Sequence, residues 1–443
     1  MIDRDNNPNQ SSKRLLTVSD RDIFVEKQKA LLIGVVTSNQ IRADREDSLK
    51  EIRSLVSTAG SDPFIQQMRR VEKIDPKTFI GKGACSELVD LSKANDIDVV
   101  IIDCELSPAQ QRNLRLLFEC DVVDRTGLIL DIFALHANSK EATAQVELAM
   151  SIYLKPRLAG LGRSLNQQGG GIGTRGPGEA KLETDLRLIE KRIAKLKKMI
   201  KKIEKQRKLQ SSARKKSKIP MISIVGYTNA GKSTLLNSLT GTKAYAADEL
   251  FATVDSLQRE LTIDEGDRKI ILSDTVGFIQ NLPTTLIESF KSTLEVAKEA
   301  DLLLHVVDAA SAFPEKHIKT VHEILEQIEV NSKEILVFNK VDKIDPFTLQ
   351  SIKDRYPQAI YISALKKTGT EEILHKVSNF VFGELVIKKV TIDPSGLDYL
   401  AKNSEIISVI NKDSKLTVEI QIRDNMIPVL ESLNILVEEV GEL

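Results

Sequence analysis

Residues 226–233, Gly-Tyr-Thr-Asn-Ala-Gly-Lys-Ser, have the composition and spacing of a phosphate-binding loop. The apolar run Met221–Val225 precedes them, so we expect a strand, a loop and a helix in that order. In such a loop main-chain N–H groups surround the phosphates, Lys232 reaches the terminal phosphates and Ser233 can ligate Mg²⁺. The residues predicted to bind here are Gly226, Tyr227, Thr228, Asn229, Ala230, Gly231, Lys232, Ser233 and Thr234.

Two downstream segments would complete a magnesium–nucleotide site. In Ser273–Gly277, the Asp274 carboxylate can hold Mg²⁺ through water and Gly277 can present its N–H to a γ-phosphate. Thr253 is the candidate for a second side-chain ligand of Mg²⁺, on a loop that orders with the γ-phosphate, although an ordinary loop threonine also fits. The predicted residues are Phe251, Ala252, Thr253, Val254, Asp255, Asp274, Thr275, Val276 and Gly277.

A further pair of segments indicates which base is bound. Asn339–Asp342 follows the predicted strand Glu334–Phe338, and the Asp342 carboxylate can accept hydrogen bonds from guanine N1–H and N2–H₂. Adenine lacks this pair of donors, so the bound nucleotide is expected to be GTP with Mg²⁺. A main-chain N–H from 363–365 would meet the guanine oxygen. The residues predicted to bind the base are Asn339, Lys340, Val341, Asp342, Ser363, Ala364 and Leu365.

The residue after Gly277 bears on hydrolysis. Many GTPases orient the attacking water with a glutamine at this place, but here it is Phe278. Main-chain groups, a partner or the nearby Gln280 must then orient the water, and slow hydrolysis without a partner is expected. The residues predicted to act in hydrolysis are Lys232, Thr253 and Gly277.

Around these motifs the 443 residues predict an α/β protein of several domains. Alternating strands and helices make 219–383 a doubly wound P-loop GTPase domain. The same alternation makes 23–138 a small N-terminal parallel α/β domain. The other predicted segments are a polar, disordered stretch at 1–22, a long antiparallel helical hairpin with a glycine-rich loop at 139–218, and a small α+β tail at 384–443.

The hairpin is predicted from periodicity. Eight of the 22 glycines lie in 160–178. A connection of about 20 residues is longer than the roughly 2–8 that paired helices need, which favours a recognition loop at Gly169–Gly178, with Arg175, over a flexible connector. An intermolecular coiled coil is the alternative. Seven apolar residues recur at heptad spacing on the following helix: Leu182, Leu186, Ile189, Ile193, Leu196, Ile200 and Ile203.

Charge is concentrated on the second helix of this hairpin. The formal net charge is zero, yet Arg187–Lys218 contains 15 Lys or Arg and only 2 Asp or Glu. Such a segment indicates contact with RNA phosphates. A solvated coiled-coil face and an amphipathic membrane helix are alternatives, and the narrow apolar stripe without aromatics disfavours the membrane.

Composition excludes several other classes. No apolar run approaches the ~18 residues of a membrane span, and the polar N-terminus does not have the apolar core of a secretory signal. The three cysteines form no CxxC pair and the five histidines show no metal-ligand spacing, so a disulfide framework or zinc site is not expected. We expect a cytoplasmic protein without a transmembrane segment.

Further stretches of the chain form a recognisable set beyond the nucleotide motifs: 251–255, 274–283, 81–83, 105–108, 112–114, 124–126, 130–134, 145–149 and 170–179. On these stretches the chain resembles the HflX family of P-loop GTPases over roughly residues 25–380. The departures are Ala180 where the family usually has threonine, and a helix richer in lysine than in arginine.

The resemblance implies a Mg²⁺-dependent GTPase that binds the large ribosomal subunit and its RNA rather than DNA. It implies hydrolysis stimulated by the ribosome, action in ribosome splitting, rescue or recycling under stress, and a protein that is partly ribosome-associated. We expect a monomer. The alternative is a nucleotide-dependent RNA chaperone or helicase-like factor acting on ribosomal RNA, but a helicase motif set is not visible.

Overall fold

The computed structural model describes most of the chain, and the predicted disordered segment 1–22 lies outside the described residues. The described residues are 27–37, 42–165, 177–216, 219–241, 250–251, 257–263, 268–275, 277–280, 291–412, 415–433 and 435–439.

The N-terminal unit is a four-stranded parallel sheet in the order β2-β1-β3-β4. Its central strands are apolar and buried because helices cover both faces, as parallel sheets require. The strands are β1 (Lys29–Thr37), β2 (Asp62–Val71), β3 (Val99–Ile102) and β4 (Asp121–Asp124). The helices are α1 (Arg42–Thr58), α2 (Lys82–Ala94), α3 (Pro108–Phe118) and α4 (Arg125–His136).

Helices α5 (Lys140–Leu165) and α6 (Pro177–Lys216) form the predicted helical hairpin. They run antiparallel, because Glu141 near the start of α5 pairs with Arg207, whereas the later Lys155 pairs with Glu190. Helix α5 is buried on two sides. The side that contacts α6 packs against three of the predicted seam residues, Ile193, Leu196 and Ile200, and the side that contacts the N-terminal unit carries Ala142, Val146, Ala149 and Tyr153.

The glycine-rich run is only partly a loop. Helix α5 continues to Leu165, so Gly160 and Gly162 are helical, and Gly178 lies in the first turn of α6. The connection is therefore shorter than the glycine content suggested, because helical hydrogen bonding extends into the run from both ends. Residues 166–176 lie outside the described residues.

The doubly wound prediction for the nucleotide-binding unit is confirmed. Its six strands run in the order β10-β9-β8-β5-β7-β6, with β6 alone antiparallel to its neighbour. The strands are β5 (Met221–Gly226), β6 (Gln258–Ile263), β7 (Arg268–Asp274), β8 (Leu302–Asp308), β9 (Lys333–Asn339) and β10 (Ile360–Tyr361). The described helices are α7 (Lys232–Thr240), α8 (Lys291–Lys298), α9 (Pro314–Gln327), α10 (Pro346–Arg355) and α11 (Thr370–Phe382).

The predicted α+β tail is an antiparallel sheet in the order β12-β13-β11-β14. Arg423 attaches it to α11 by donating to the carbonyl of Gly383 at 2.7 Å and to Ser378 Oγ at 2.9 Å. None of the helices in the described part of the chain is long and apolar enough to cross a membrane. The tail's elements are β11 (Leu385–Ile392), α12 (Leu397–Asn403), β12 (Glu405–Lys412), β13 (Lys415–Arg423), α13 (Ile427–Ser432) and β14 (Leu436–Glu439).

Candidate nucleotide site

The predicted phosphate-binding loop lies between the end of β5 and the start of α7, at the carboxyl edge of the six-stranded sheet. Two glycines are required by its shape. Gly226 has φ +151°, and a Cβ there would lie 2.2 Å from the carbonyl oxygen of Val306. Gly231 has φ +91°, and a Cβ there would lie 2.2 Å from Asn339 Nδ2. The main chain can thus pass close to its neighbours at these two positions, which a side chain would prevent.

Lys232 begins α7 and is buried, with its Nζ donating to the carbonyl of Tyr227 at 2.8 Å. Burial lowers the pKa of Lys232 to about 8, against the opposing charge of Asp274. The ammonium group forms no ion pair among the described contacts. A buried cation of this kind gains stability from an arriving phosphate, which would raise its pKa back towards the ordinary value.

Two of the three predicted Mg²⁺ ligands, Ser233 and Asp274, lie within the described residues and contact each other. Ser233 Oγ donates to Asp274 Oδ2 at 2.6 Å, and Asp274 is fully buried where β7 ends. Two oxygen donors, one of them anionic, suit the hard Mg²⁺ ion. The third predicted ligand, Thr253, lies outside the described residues, as do Ala252, Val254, Asp255 and Val276.

The base-binding segments are tied to the phosphate loop by one side chain. Asn339, at the end of β9, donates from Nδ2 to the carbonyl of Ala230 at 2.9 Å and accepts the N–H of Ala364 at 2.9 Å. Asn339 is buried, so both bonds are sheltered from water. It therefore fixes the relative positions of three loops, a role that the motif alone did not indicate.

Asp342 lies in the short helical turn Val341–Lys343, which follows Asn339 closely in the chain. The hydroxyl of Ser363 holds the pKa of Asp342 below its usual range, and Lys366 Nζ lies 3.9 Å from its carboxylate. Lys340, two residues before Asp342, is in the left-handed conformation, and its Nζ forms an ion pair with Asp308 at 2.8 Å. Leu365, another residue predicted to lie at the base, is 74% exposed. An ionised carboxylate at this edge can accept two hydrogen bonds from a guanine.

Phe278 turns away from the nucleotide loops. It is 2% exposed and belongs to a buried cluster with Val225 and Leu303, so its ring cannot orient water at a γ-phosphate. Its main chain instead pairs with the phosphate loop: Thr228 N donates to Phe278 O at 2.7 Å, and Phe278 N donates to Gly226 O at 3.1 Å. A Cβ at the neighbouring Gly277 would lie 2.8 Å from the Thr228 side chain and 3.1 Å from Lys232 Nζ.

The N-terminal unit reaches this site, which the motifs did not predict. Tyr227, Phe251 and Ile279 share a buried apolar cluster with residues of the N-terminal unit, and Phe251 packs edge-on against Phe133 at 4.7 Å between ring centroids. Arg125 donates to the main-chain oxygen of Gln280 at 3.0 Å. The stretch 124–126 was noted only for its family resemblance, and no spacing rule connects it to residue 280.

The structure also gathers two histidines that the sequence separates. His305 Nδ1 lies 2.8 Å from Glu334, and His322 Nε2 lies 2.9 Å from the same carboxylate. His305 Nε2 is buried and has no hydrogen-bond partner among the described residues. A metal at Nδ1 would require a proton on that unpartnered nitrogen, so the cluster fits a hydrogen-bonded arrangement better than a metal site.

Comparison with known proteins places these observations in a family. Family models match in three successive regions: GTP-binding GTPase N-terminal at 46–134, GTP-binding GTPase Middle Region at 136–214, and 50S ribosome-binding GTPase at 221–340. A solved GTP-binding protein of Sulfolobus solfataricus in complex with GDP is 26% identical, with a TM-score of 0.41, covering 80% of this chain and 98% of that one.

Two curated relatives extend over most of the molecule. GTPase HflX of Caldanaerobacter subterraneus subsp. tengcongensis is 44% identical over 81% of this chain and 82% of its own length. GTPase HflX of Escherichia coli strain K12 is 42% identical over 84% of this chain and 87% of its own length. The resemblance inferred from the motifs is thereby confirmed, and the chain belongs to the GTPase HflX family of P-loop GTP hydrolases.

Proposed function

We propose that this GTPase binds the large ribosomal subunit through its helical hairpin and acts there in splitting, rescuing or recycling ribosomes under stress. It does so as a cytoplasmic monomer that is partly ribosome-associated. GTP hydrolysis ends each cycle by releasing the nucleotide-dependent loops. The match to the model described as 50S ribosome-binding GTPase supports the partner. The observation that carries the proposal is the surface of α6.

Helix α6 presents an unneutralised cationic face. Lys197, Lys198, Lys201 and Lys202 are all exposed, and none forms an ion pair with another described residue. Other cations of the helix are neutralised within the hairpin, since Arg192 pairs with Glu147 at 2.6 Å and Arg207 with Glu141 at 2.7 Å. The paired arginines hold the hairpin together, while the four lysines remain available to RNA phosphates.

Within the nucleotide site, we assign the predicted roles to the residues that the structure assembles. Lys232 and the N–H groups of the loop hold the phosphates, and Asp342 selects guanine. Mg²⁺ would be held by Ser233, by Asp274 through water and by Thr253, and would neutralise charge between the β- and γ-phosphates.

Hydrolysis is proposed to be slow in the isolated protein. Since the Phe278 ring lies in the core, we propose that main-chain groups of 277–280, rather than the Gln280 side chain, orient the water. Ile279 shares a buried cluster with Phe251, two residues before Thr253 in the chain, and a large partner can fix both segments. The ribosome would therefore raise the rate by fixing these segments rather than by replacing a side chain.

The test is a salt titration of binding to purified large subunits with a GTP analogue. Changing Lys197, Lys198, Lys201 and Lys202 to Gln should weaken binding and reduce the slope of log K against log salt by up to about four, or about one per cation. A matched control changes four exposed lysines elsewhere, Lys319, Lys353, Lys402 and Lys415, to Gln. The control should retain the wild-type slope.

Unchanged affinity and slope in the hairpin variant would show that the lysines form only a solvated face. Replacing the glycine-rich segment 166–176 by a short linker should leave the slope nearly intact but abolish subunit splitting, since phosphate contacts position and the loop selects the site. Equal sedimentation with ribosomes in a GTP analogue and in ADP would instead favour the RNA-chaperone alternative.

A further inference from the structure

The side chain of Tyr227, the second residue of the predicted phosphate loop, points towards the N-terminal unit. Its hydroxyl donates to the carboxylate of Glu51 on α1 and accepts the main-chain N–H of Gln280 at 2.8 Å. Its ring stacks on His317 of α9, with centroids 3.9 Å apart and planes 7° apart. Only 6% of Tyr227 is exposed, so these contacts are sheltered from water.

Arg125, the first residue of α4, belongs to the N-terminal unit and also contacts Gln280. Its guanidinium is 4% exposed and pairs with Asp103 at 2.7 Å and with Glu51, while Ser48 Oγ accepts a further bond at 3.1 Å. The Nη2 that binds Glu51 also donates to the carbonyl of Gln280 at 3.0 Å. A planar guanidinium fixed on several sides holds that carbonyl in one direction.

Both main-chain groups of Gln280 are therefore held by buried side chains, one from each unit of the protein. The upstream end of the same segment is also fixed, because Phe278 pairs with Gly226 and Thr228. The segment 277–280 cannot shift relative to the phosphate loop without breaking these bonds.

We propose that Tyr227 and Arg125 are positioning residues for GTP hydrolysis, which act by fixing the main chain of Gln280. The proposal rests on the proposed role of segment 277–280 in orienting the attacking water. Since the Phe278 ring supplies no polar group and the main-chain groups of Phe278 and Gln280 are already hydrogen-bonded, the direction in which these bonds hold the main chain between them decides where water can sit. A small displacement of reacting groups can cost about a hundredfold in rate. The N-terminal unit then forms part of the hydrolytic machinery.

The test compares single-turnover GTP hydrolysis by the full-length protein without ribosomes. Tyr227→Phe removes one hydroxyl but keeps the ring stacked on His317. Arg125→Lys keeps the charge beside Asp103 but loses the second nitrogen that reaches Gln280. Each variant should hydrolyse GTP about tenfold to a hundredfold more slowly, with affinity for GTP and GDP within about twofold of wild type.

The matched control is Asp44→Asn, which breaks the 2.9 Å ion pair between Asp44 of α1 and Lys316 of α9. This contact joins the same two units but does not touch Gln280, so the control should keep the wild-type rate. A wild-type or faster rate in Tyr227→Phe overturns the proposal, and so does an equal loss in the control. Because ribosomes are omitted, a failure of ribosomal stimulation would count against the proposed function only.

Discussion

The N-terminal sheet and the six-stranded sheet differ in how they treat buried charges at the carboxyl ends of their parallel strands. Residues beyond the carboxyl ends of parallel strands converge, which is where ligands of such folds bind. In the N-terminal unit, Asp103 follows β3 and Asp124 ends β4, and both are fully buried. Arg125 neutralises Asp103 at 2.7 Å, and Arg157 of the hairpin neutralises Asp124 at 3.0 Å.

At the corresponding edge of the six-stranded sheet, the buried cation is Lys232. Lys232 donates to a main-chain carbonyl and pairs with no carboxylate among the described contacts, and its pKa is lowered to about 8. Charges paired within the chain join parts of the molecule, whereas a buried charge that forms no ion pair with the chain is suited to bind a ligand of opposite charge. Pairing of buried charges, rather than fold, distinguishes the structural edge of the N-terminal sheet from the proposed ligand edge of the six-stranded sheet.

The largest expected effect concerns the ligand edge. Asp342→Asn replaces a carboxylate oxygen by a donor and should weaken GTP binding by about a hundredfold or more, since each charge-assisted bond contributes ~1.5–3 kcal/mol. Xanthosine triphosphate, whose base offers a matching acceptor, should bind better than GTP. Titration calorimetry with GTP and with xanthosine triphosphate measures this change in base preference. Undiminished GTP affinity would show that Asp342 does not select the base.

The second effect concerns the structural edge. Arg125→Met leaves the buried carboxylates of Asp103 and Glu51 without their main counter-ion, so the free energy of unfolding should fall by about 3–5 kcal/mol. Chemical denaturation of the nucleotide-free protein provides the measurement. In a double-mutant cycle, adding Asp103→Asn should recover part of the loss, because the two residues interact directly. Strictly additive losses would contradict the pairing.

The smallest effect is a pH dependence of nucleotide binding. Since burial lowers the pKa of Lys232 to about 8, the folded, nucleotide-free protein releases this proton above that pH, whereas the unfolded chain retains it up to its ordinary value. Stability of the nucleotide-free protein should therefore rise with pH above about 8. A bound phosphate favours the charged form, so GDP affinity should fall by up to about tenfold per pH unit there.

Calorimetry in buffers of different ionisation enthalpy can detect this proton directly. Uptake on binding GDP should be near zero at about pH 7 and approach one proton per site at about pH 9. Lys232→Met is the control, since the residual binding of that variant should show no such uptake. Proton uptake that is the same in the variant and in wild type would assign the titration to another group.

The sequence predicted the strands and helices of this protein better than it predicted the ends of its loops. The strands at 221–225, 269–273, 302–307 and 334–338 and the helical hairpin were predictable, because their apolar periodicities repeat within a few residues. The limits of the domains and the functions of single site residues stay predictions. The ends of the glycine-rich loop were misjudged because helical hydrogen bonding extends through Gly160 and Gly162, which local composition disfavours.

The sequence by itself predicted a guanine-nucleotide site, since Gly226–Ser233 and Asn339–Asp342 are short segments whose residues lie next to one another in the chain. Only the tertiary structure decided that the Phe278 ring lies in the core, that Asn339 joins three loops and that Tyr227 bonds to Glu51. The hydroxyl of Tyr227 and its partner are 176 residues apart in the chain. Contacts of that range depend on how two separately formed sheets pack together, and no local pattern of residue types records that packing.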